Sequence, residues 1–200
     1  MSETYTPGYS ESTLRLILQR TAAKHAAFLT PFLYRGMRLL DCGCGPGTIT
    51  VDLAAQIAPG RVFGVDLQSA QLVSARHRAR QRQARASFGV ASIYALPFLD
   101  GSFDAVFAHA LFEHLLEPVR ALREMKRILR SSGLAAIRSP DWAGWLVHPP
   151  NPLIQHGFDL FKQLQIANGG NPHVGRAIKG LLRESGFSNI SISRIVRDCG

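Results

Sequence analysis

The chain has 200 residues, 46% apolar and 18% charged, enough for one packed core and far from the composition of a disordered polymer. No apolar run reaches the roughly 20 residues a membrane-crossing helix needs, and the opening MSETYTPGYS lacks the basic-then-apolar form of a secretory signal, so a cytoplasmic protein without a membrane span is expected. The formal charge of +9 points toward nucleic acid, but its densest stretch, ARHRARQRQARA, spreads Arg76, Arg78, Arg80, Arg82 and Arg85 around a helix with no aromatic among them, the pattern of a solvated face rather than a nucleic-acid track.

In chain order, residues 12–29 read as an amphipathic helix, with Leu14, Ile17, Leu18, Thr21, His25 and Phe28 near helical spacing and Ser10 or Ser12 as cap. A short strand follows at 38–41, then a helix at 48–58 stopped by Pro59-Gly60, a strand at 61–66 and the arginine-rich helix at 69–85. Strands are expected at 86–91 and 103–108, a helix at 117–129 with Pro118 in its first turn, and a fifth strand at 133–137. Beyond Pro140 the pattern loosens. Loop segments HPPNP and ANGGNP flank a helix at 153–167, Val174, Ile178, Leu181 and Leu182 mark another, and 190–196 alternates like a sixth strand. Strands alternating with helices at this spacing predict an α/β fold, a mostly parallel sheet with helices on both faces. One domain is expected: a helical cap at 1–36, a core at 37–140, and helices with a final strand at 141–200.

The most informative segment is LLDCGCGPGTIT, residues 39–50. A strand runs into a turn where Gly43, Gly45 and Gly47 can take dihedrals closed to other residues, and the helix beyond offers unpaired N–H groups. Two cofactor classes use such a turn, dinucleotides and S-adenosylmethionine. The dinucleotide pattern G-x-G-x-x-G needs a third glycine where this chain has Thr48 or Thr50. A carboxylate at Asp41 would repel a pyrophosphate but would suit the ammonium of a methionine moiety. Asp66, ending the strand VFGVD, stands where an acid takes two ribose hydroxyls, and Leu67 beside it can cover an adenine face. The cysteines Cys42, Cys44 and Cys199 complete neither a disulfide framework nor a zinc ligand set, so no metal is expected.

From about Met37 to Ile137 the chain resembles the class I S-adenosylmethionine-dependent methyltransferases, especially the ubiquinone-biosynthesis-like, methyltransferase type 11 branch. DCGCGPGT resembles the motif that holds the methionine part, and VFGVDLQ the motif whose acid takes the ribose. ALPFLDGSFDAVFAHALFEHL resembles the stretch into strand four, and RILRSSGLAAI the step into strand five. The resemblance implies a Rossmann-like doubly wound fold and S-adenosyl-L-methionine as cofactor, released as S-adenosyl-L-homocysteine. It implies Ser92, standing where the branch commonly has Asp, and the Ile93 backbone at the adenine, Ala108 along the cofactor, and Tyr9 and Arg20 at its carboxylate. The family sheet has seven strands; six are counted here, so either the chain is truncated before the last one or the seventh lies where the residue pattern does not mark it.

Methyl transfer is mostly positioning, with a general base needed only where the acceptor loses a proton. His109, Glu113 and His114 follow strand four, with His109 and Glu113 spaced for one helix face; the two histidines are the candidates for chemistry, against a His114 that packs structurally and a His109 that only touches the cofactor. Asp141, Trp142 and Trp145 are candidates for an acceptor pocket. The implied acceptor is a small molecule, methylated at O, N or C. The competing readings are a methyltransferase of RNA or another macromolecule, a cofactor-binding protein without turnover, and a nicotinamide dehydrogenase, for which the third glycine is lacking.

Overall fold

The computed structural model describes residues 4–145 and 147–193. Five strands, β1 (Arg38–Cys42), β2 (Arg61–Asp66), β3 (Ala86–Val90), β4 (Phe103–His109) and β5 (Leu129–Arg138), form one parallel sheet in the order β3-β2-β1-β4-β5. The helices are α1 (Glu11–Leu18), α2 (Ala22–His25), α3 (Thr48–Gln56), α4 (Ser69–Gln81), α5 (Pro118–Ile128), α6 (Pro152–Ala167) and α7 (Val174–Glu184). This is the expected α/β, Rossmann-like, doubly wound architecture. Its winding direction reverses between β1 and β4, which opens a crevice at the carboxyl ends of those strands.

Strand alternation splits the core into two layers. Leu39, Ala105 and Phe107 pack with Ile49 and Leu53 of α3 and with Ala22 of α2. Leu40, Val106 and Ala108 face the other way, against Leu122 and Met125 of α5 and Ile178 of α7. Burying one such leucine contributes roughly 1.5–3 kcal/mol. Near-continuous burial of β1 and β4 therefore fixes these strands at the centre of the sheet.

Several boundaries differ from the pattern. The helix expected at 12–29 is broken into α1 and α2, and a single 3-10 turn at Thr30–Phe32 follows. Thr21 ends the run because its hydroxyl accepts the Lys24 amide and caps a fresh helix, which Asp52 docks by accepting the Ala22 amide at 3.0 Å. Ser10 is the residue that caps α1. α4 stops at Gln81 rather than Arg85, because Gln83 adopts φ 50° and turns the chain back. β5 starts at Leu129, not Gly133: Phe103 pairs with Leu129 and Ala105 with Leu134, so the intervening residues bulge. A Cβ on Gly133 would meet the Arg130 carbonyl at 3.0 Å, which explains glycine there. Residues 190–193 are not strand, and 194–196 of the expected sixth strand lie outside the described residues. Among the described residues, no helix is long and apolar enough to cross a membrane.

Candidate functional site

The crevice holds an open cleft whose floor is the β1–α3 turn and whose sides are the ends of β2 and β4. Asp41, Gly43, Gly45, Asp66, Leu67, Ile93, His109 and His114 all line it, as do Tyr9 and Arg20 from the amino-terminal segment. Ten of the thirteen residues expected at the cofactor or in the chemistry thus meet at one place. Three do not. Gly47 lies under the turn, Ala108 is fully buried in the core, and the Ser92 hydroxyl is turned into its own loop, accepting the Tyr94 amide at 3.2 Å.

The three glycines do different work. All have positive φ (69°, 50° and 74°), so each turn residue sits where a side chain is strained. A Cβ on Gly47 would lie 2.8 Å from the Ala75 Cβ, so this glycine lets α4 close on the turn. A Cβ on Gly45 would meet nothing within 4 Å. Since Gly45 also lines the cleft, its bare backbone faces ligand space.

Two acids bracket that backbone. Asp41 is 3% exposed and takes a 2.6 Å hydrogen bond from the Thr50 hydroxyl. Burial pushes its carboxyl up to about 7, against the pull of Thr50. Asp66 accepts the Gly45 amide at 2.8 Å and the Gln68 amide at 2.9 Å, one on each oxygen. Each oxygen keeps a second lone pair for a donor such as a hydroxyl. The α3 helix begins at Gly47 with no side-chain cap, so its first turn presents amide donors beside the cleft residues Thr48 and Ile49.

The amino-terminal segment forms the roof. Tyr5 stacks on Tyr9 with centroids 5.0 Å apart and meets the His114 ring edge-on at 4.8 Å. Burial, with Asp66 nearby, raises the Tyr9 phenol to about 12. His114 is held down to about 4 by burial and by Arg20, and so is neutral at pH 7. Glu113 is not on a helix face with His109. His109 ends β4, whereas Glu113 sits in a 3-10 turn, its carboxylate 3.8 Å from the His114 Nε2. His109 instead packs edge-on against His25, centroids 5.0 Å apart.

Asp141, Trp142 and Trp145 are absent from the cleft wall. Asp141 grips Arg176 with two bonds of 2.7 and 3.0 Å, and the two indoles stack at 5.2 Å and pack on Phe158 of α6. Sequence reasoning also missed Arg78 and Gly64. Arg78, read as solvated, donates to the Pro46 carbonyl and secures the glycine turn. Gly64 leaves room for the Phe88 ring and for Cys44, whose nearest atoms would lie 2.7 and 2.9 Å from a Cβ there. Only a strand glycine interrupting VFGVD hinted at the latter. Among the described residues, no group of three or more His, Cys, Asp or Glu is placed to hold a metal.

Residues 40–137 match the family described as a methyltransferase domain. An uncharacterized methyltransferase of Schizosaccharomyces pombe is 34% identical over 169 residues, 80% of this chain and 60% of its own. A ubiquinone/menaquinone biosynthesis C-methyltransferase of Bdellovibrio bacteriovorus is 31% identical over 98 residues, 49% of this chain and 42% of its own. The crystal structure of a SAM dependent methyltransferase from Aquifex aeolicus superposes with a TM-score of 0.69 at 19% identity, covering 94% of this chain and 93% of that one, a likeness of fold. The chain spans 48–60% of the length of the curated relatives it matches first.

Proposed function

The core of this chain belongs to the class I S-adenosylmethionine-dependent methyltransferases, and from that premise we propose that it binds S-adenosylmethionine in the cleft and passes the methyl group to a small-molecule acceptor. The observation that carries the reading is the pair of acids, Asp41 and Asp66, on either side of the bare Gly45 backbone. A dinucleotide would set its pyrophosphate against Asp41, whereas S-adenosylmethionine brings an ammonium there.

Bound S-adenosylmethionine supplies a methyl group already activated by its sulfonium. The chain's residues bind, orient and dry. Asp41, steadied by Thr50, opposes the ammonium. Asp66 accepts the ribose hydroxyls on its remaining lone pairs. Leu67 and Ile93 give the adenine apolar walls, and the uncapped first turn of α3 with Arg20 gives the carboxylate a positive environment. Tyr5 and Tyr9 close the roof and exclude water, which sharpens every electrostatic contact beneath them. In this reading residues 37–140 hold the cofactor, 1–36 cap it, and the segment after 141 flanks the acceptor.

Titration calorimetry with S-adenosylmethionine, S-adenosylhomocysteine and NAD tests it, on the wild type and Asp66→Ala. Binding of both adenosyl ligands but not NAD, weakened by the substitution, is expected. A folded protein that binds neither would overturn the reading. Tight binding with no methyl transfer to any small molecule in an acceptor panel would leave a cofactor-binding protein without turnover.

A further inference from the structure

α6 carries more apolar surface than the fold uses. Phe158 and Phe161 pack on Trp142, and Gln165 is buried, so these three mark the side that meets the body of the protein. A second stripe runs beside it. Leu153, Gly157, Leu160 and Leu164 follow at intervals of four, three and four residues, the spacing of a seam between two helices. Leu153 is 83% exposed and Leu160 and Leu164 are each 51% exposed, so the described residues leave the stripe in water. Gly157 is the second sign. Glycine inside a helix weakens it relative to alanine, yet a Cβ at Gly157 would meet nothing within 4 Å. Packing within one chain gives no reason for this glycine, whereas a close approach from outside does.

The charge pattern selects what approaches. The chain carries +9, so two copies repel unless they meet through a neutral face. α6 is such a face: it holds one Asp and one Lys, which pair at 2.7 Å and stand across the helix from the stripe. A lipid surface fits less well, since helices that lie on membranes carry Lys and Arg along the polar side, and here the one Lys is held by Asp159. We propose that α6 is the contact face of a weak homodimer, two copies packing antiparallel about a twofold axis. Leu160 of one protomer then covers Gly157 of its partner, Leu153 meets Leu164, and the helix dipoles oppose favourably. A parallel pair would set glycine on glycine and leave a gap. With α6 about 24 Å long, a face about 10 Å wide buries roughly 240 Å² per protomer, to which Trp145, half-exposed beside Phe158, adds its edge. A standard interface buries about 800 Å² per partner, which is why this dimer is weak. The inference is independent of the methyltransferase reading.

Sedimentation velocity on the full chain in reducing buffer, from about 1 µM to 1 mM, reads the association. The average mass should climb from one chain toward two across that range. Leu160→Glu sets a carboxylate in the apolar seam and should weaken the dimer at least about tenfold. Gly157→Ala should weaken it at least about threefold, yet leave the thermal melt unchanged or higher, because alanine favours the helix and has room in the single chain. Both positions are exposed, so both variants should fold, as circular dichroism checks. Gly157→Ala carries the test should Leu160→Glu unfold. One-chain mass at every concentration, or a dimer that the substitutions leave intact, overturns the proposal. Sedimentation of a monomeric protein with phosphatidylcholine–phosphatidylglycerol vesicles overturns it too, since lipid would then cover the stripe.

Discussion

The Gly45 amide donates to the Asp66 carboxylate at 2.8 Å, so the residue that ends β2 also fastens the turn that follows β1. Asp66 therefore shapes the backbone and presents the acid. The two roles separate by substitution. Asp66→Asn keeps an oxygen for Gly45 but loses the charge, and should weaken S-adenosylhomocysteine about 10- to 100-fold, some 1.5–3 kcal/mol for charge-assisted bonds. Its amide nitrogen faces the Gln68 N–H in place of the second oxygen, so its melting temperature should fall, though by less than in Asp66→Ala. Asp66→Ala strands the Gly45 amide too, and should cost about 1–3 kcal/mol of stability beyond the Asn variant. Calorimetry and thermal melts read both, and unchanged affinity in Asp66→Asn would remove the ribose role.

Asp41 should make cofactor binding pH-dependent. Burial raises its carboxyl to about 7, with the Thr50 bond opposing. The native protein thus holds a proton at Asp41 that the unfolded chain has already released above its ordinary range. With more protons bound in the native state, this group's contribution to stability falls as pH rises toward 7. Pairing with an ammonium lowers the carboxyl again, so binding at about pH 6 should release a proton, and affinity should climb toward neutrality and then level. Glu113 is likewise raised to about 7 by burial, and His114 lowered to about 4, so whole-protein melts mix three groups. Calorimetry in phosphate and in Tris isolates the proton: the apparent heat should differ in the wild type and agree in Asp41→Asn. Agreement in both proteins defeats the assignment.

The glycine turn makes a paired prediction. Gly47→Ala would place a Cβ 2.8 Å from one Ala75 atom and 3.1 Å from another, at φ 74°, and should cost about 2–4 kcal/mol in stability. Gly45→Ala has the same φ problem without the clash, about 1–2 kcal/mol, yet it fills the cleft. It should abolish S-adenosylhomocysteine binding while the protein stays folded. Denaturant titrations and calorimetry on both variants check this. A Gly45→Ala protein that binds normally would show that the turn is bare for folding alone.

Most of the cleft was readable because its parts are local: a strand, three glycines and an acid at each of two strand ends, all spaced by the βαβ geometry itself. What was not legible depended on distant residues. Nothing in ARHRARQRQARA marks Arg78 as the one that reaches back 32 positions to Pro46. The helix at 12–29 failed because Thr21 offers a cap that the apolar periodicity ignores, and Asp52, on another helix, rewards the break. The resemblance puts Ser92 at the adenine, but a hydroxyl only one carbon from its backbone is more readily satisfied by its own loop than a longer acid is. Glu113 was paired with the wrong histidine because a 3-10 turn, not a helix, follows β4.

The region after β5 was misread for the same reason, and it yields a last test. Asp141 and the two tryptophans suggested a pocket, but they bind the chain to itself. Arg176 is more than half exposed, and a surface ion pair is worth about 0–1 kcal/mol. Arg176→Ala should therefore lower stability by less than about 1 kcal/mol. Trp142 touches Trp145, Phe158 and Phe161, with centroids 4.6–6.0 Å away, and α6 has one buried residue besides. Trp142→Ala should then free α6 rather than unfold the sheet. Hydrogen exchange of the α6 amides should rise at least about tenfold, with β1 and β4 unchanged. S-adenosylhomocysteine affinity should be untouched in both variants, because neither side chain reaches the cleft. Loss of cofactor binding in Trp142→Ala would instead mean that α6 governs the cofactor side of the site.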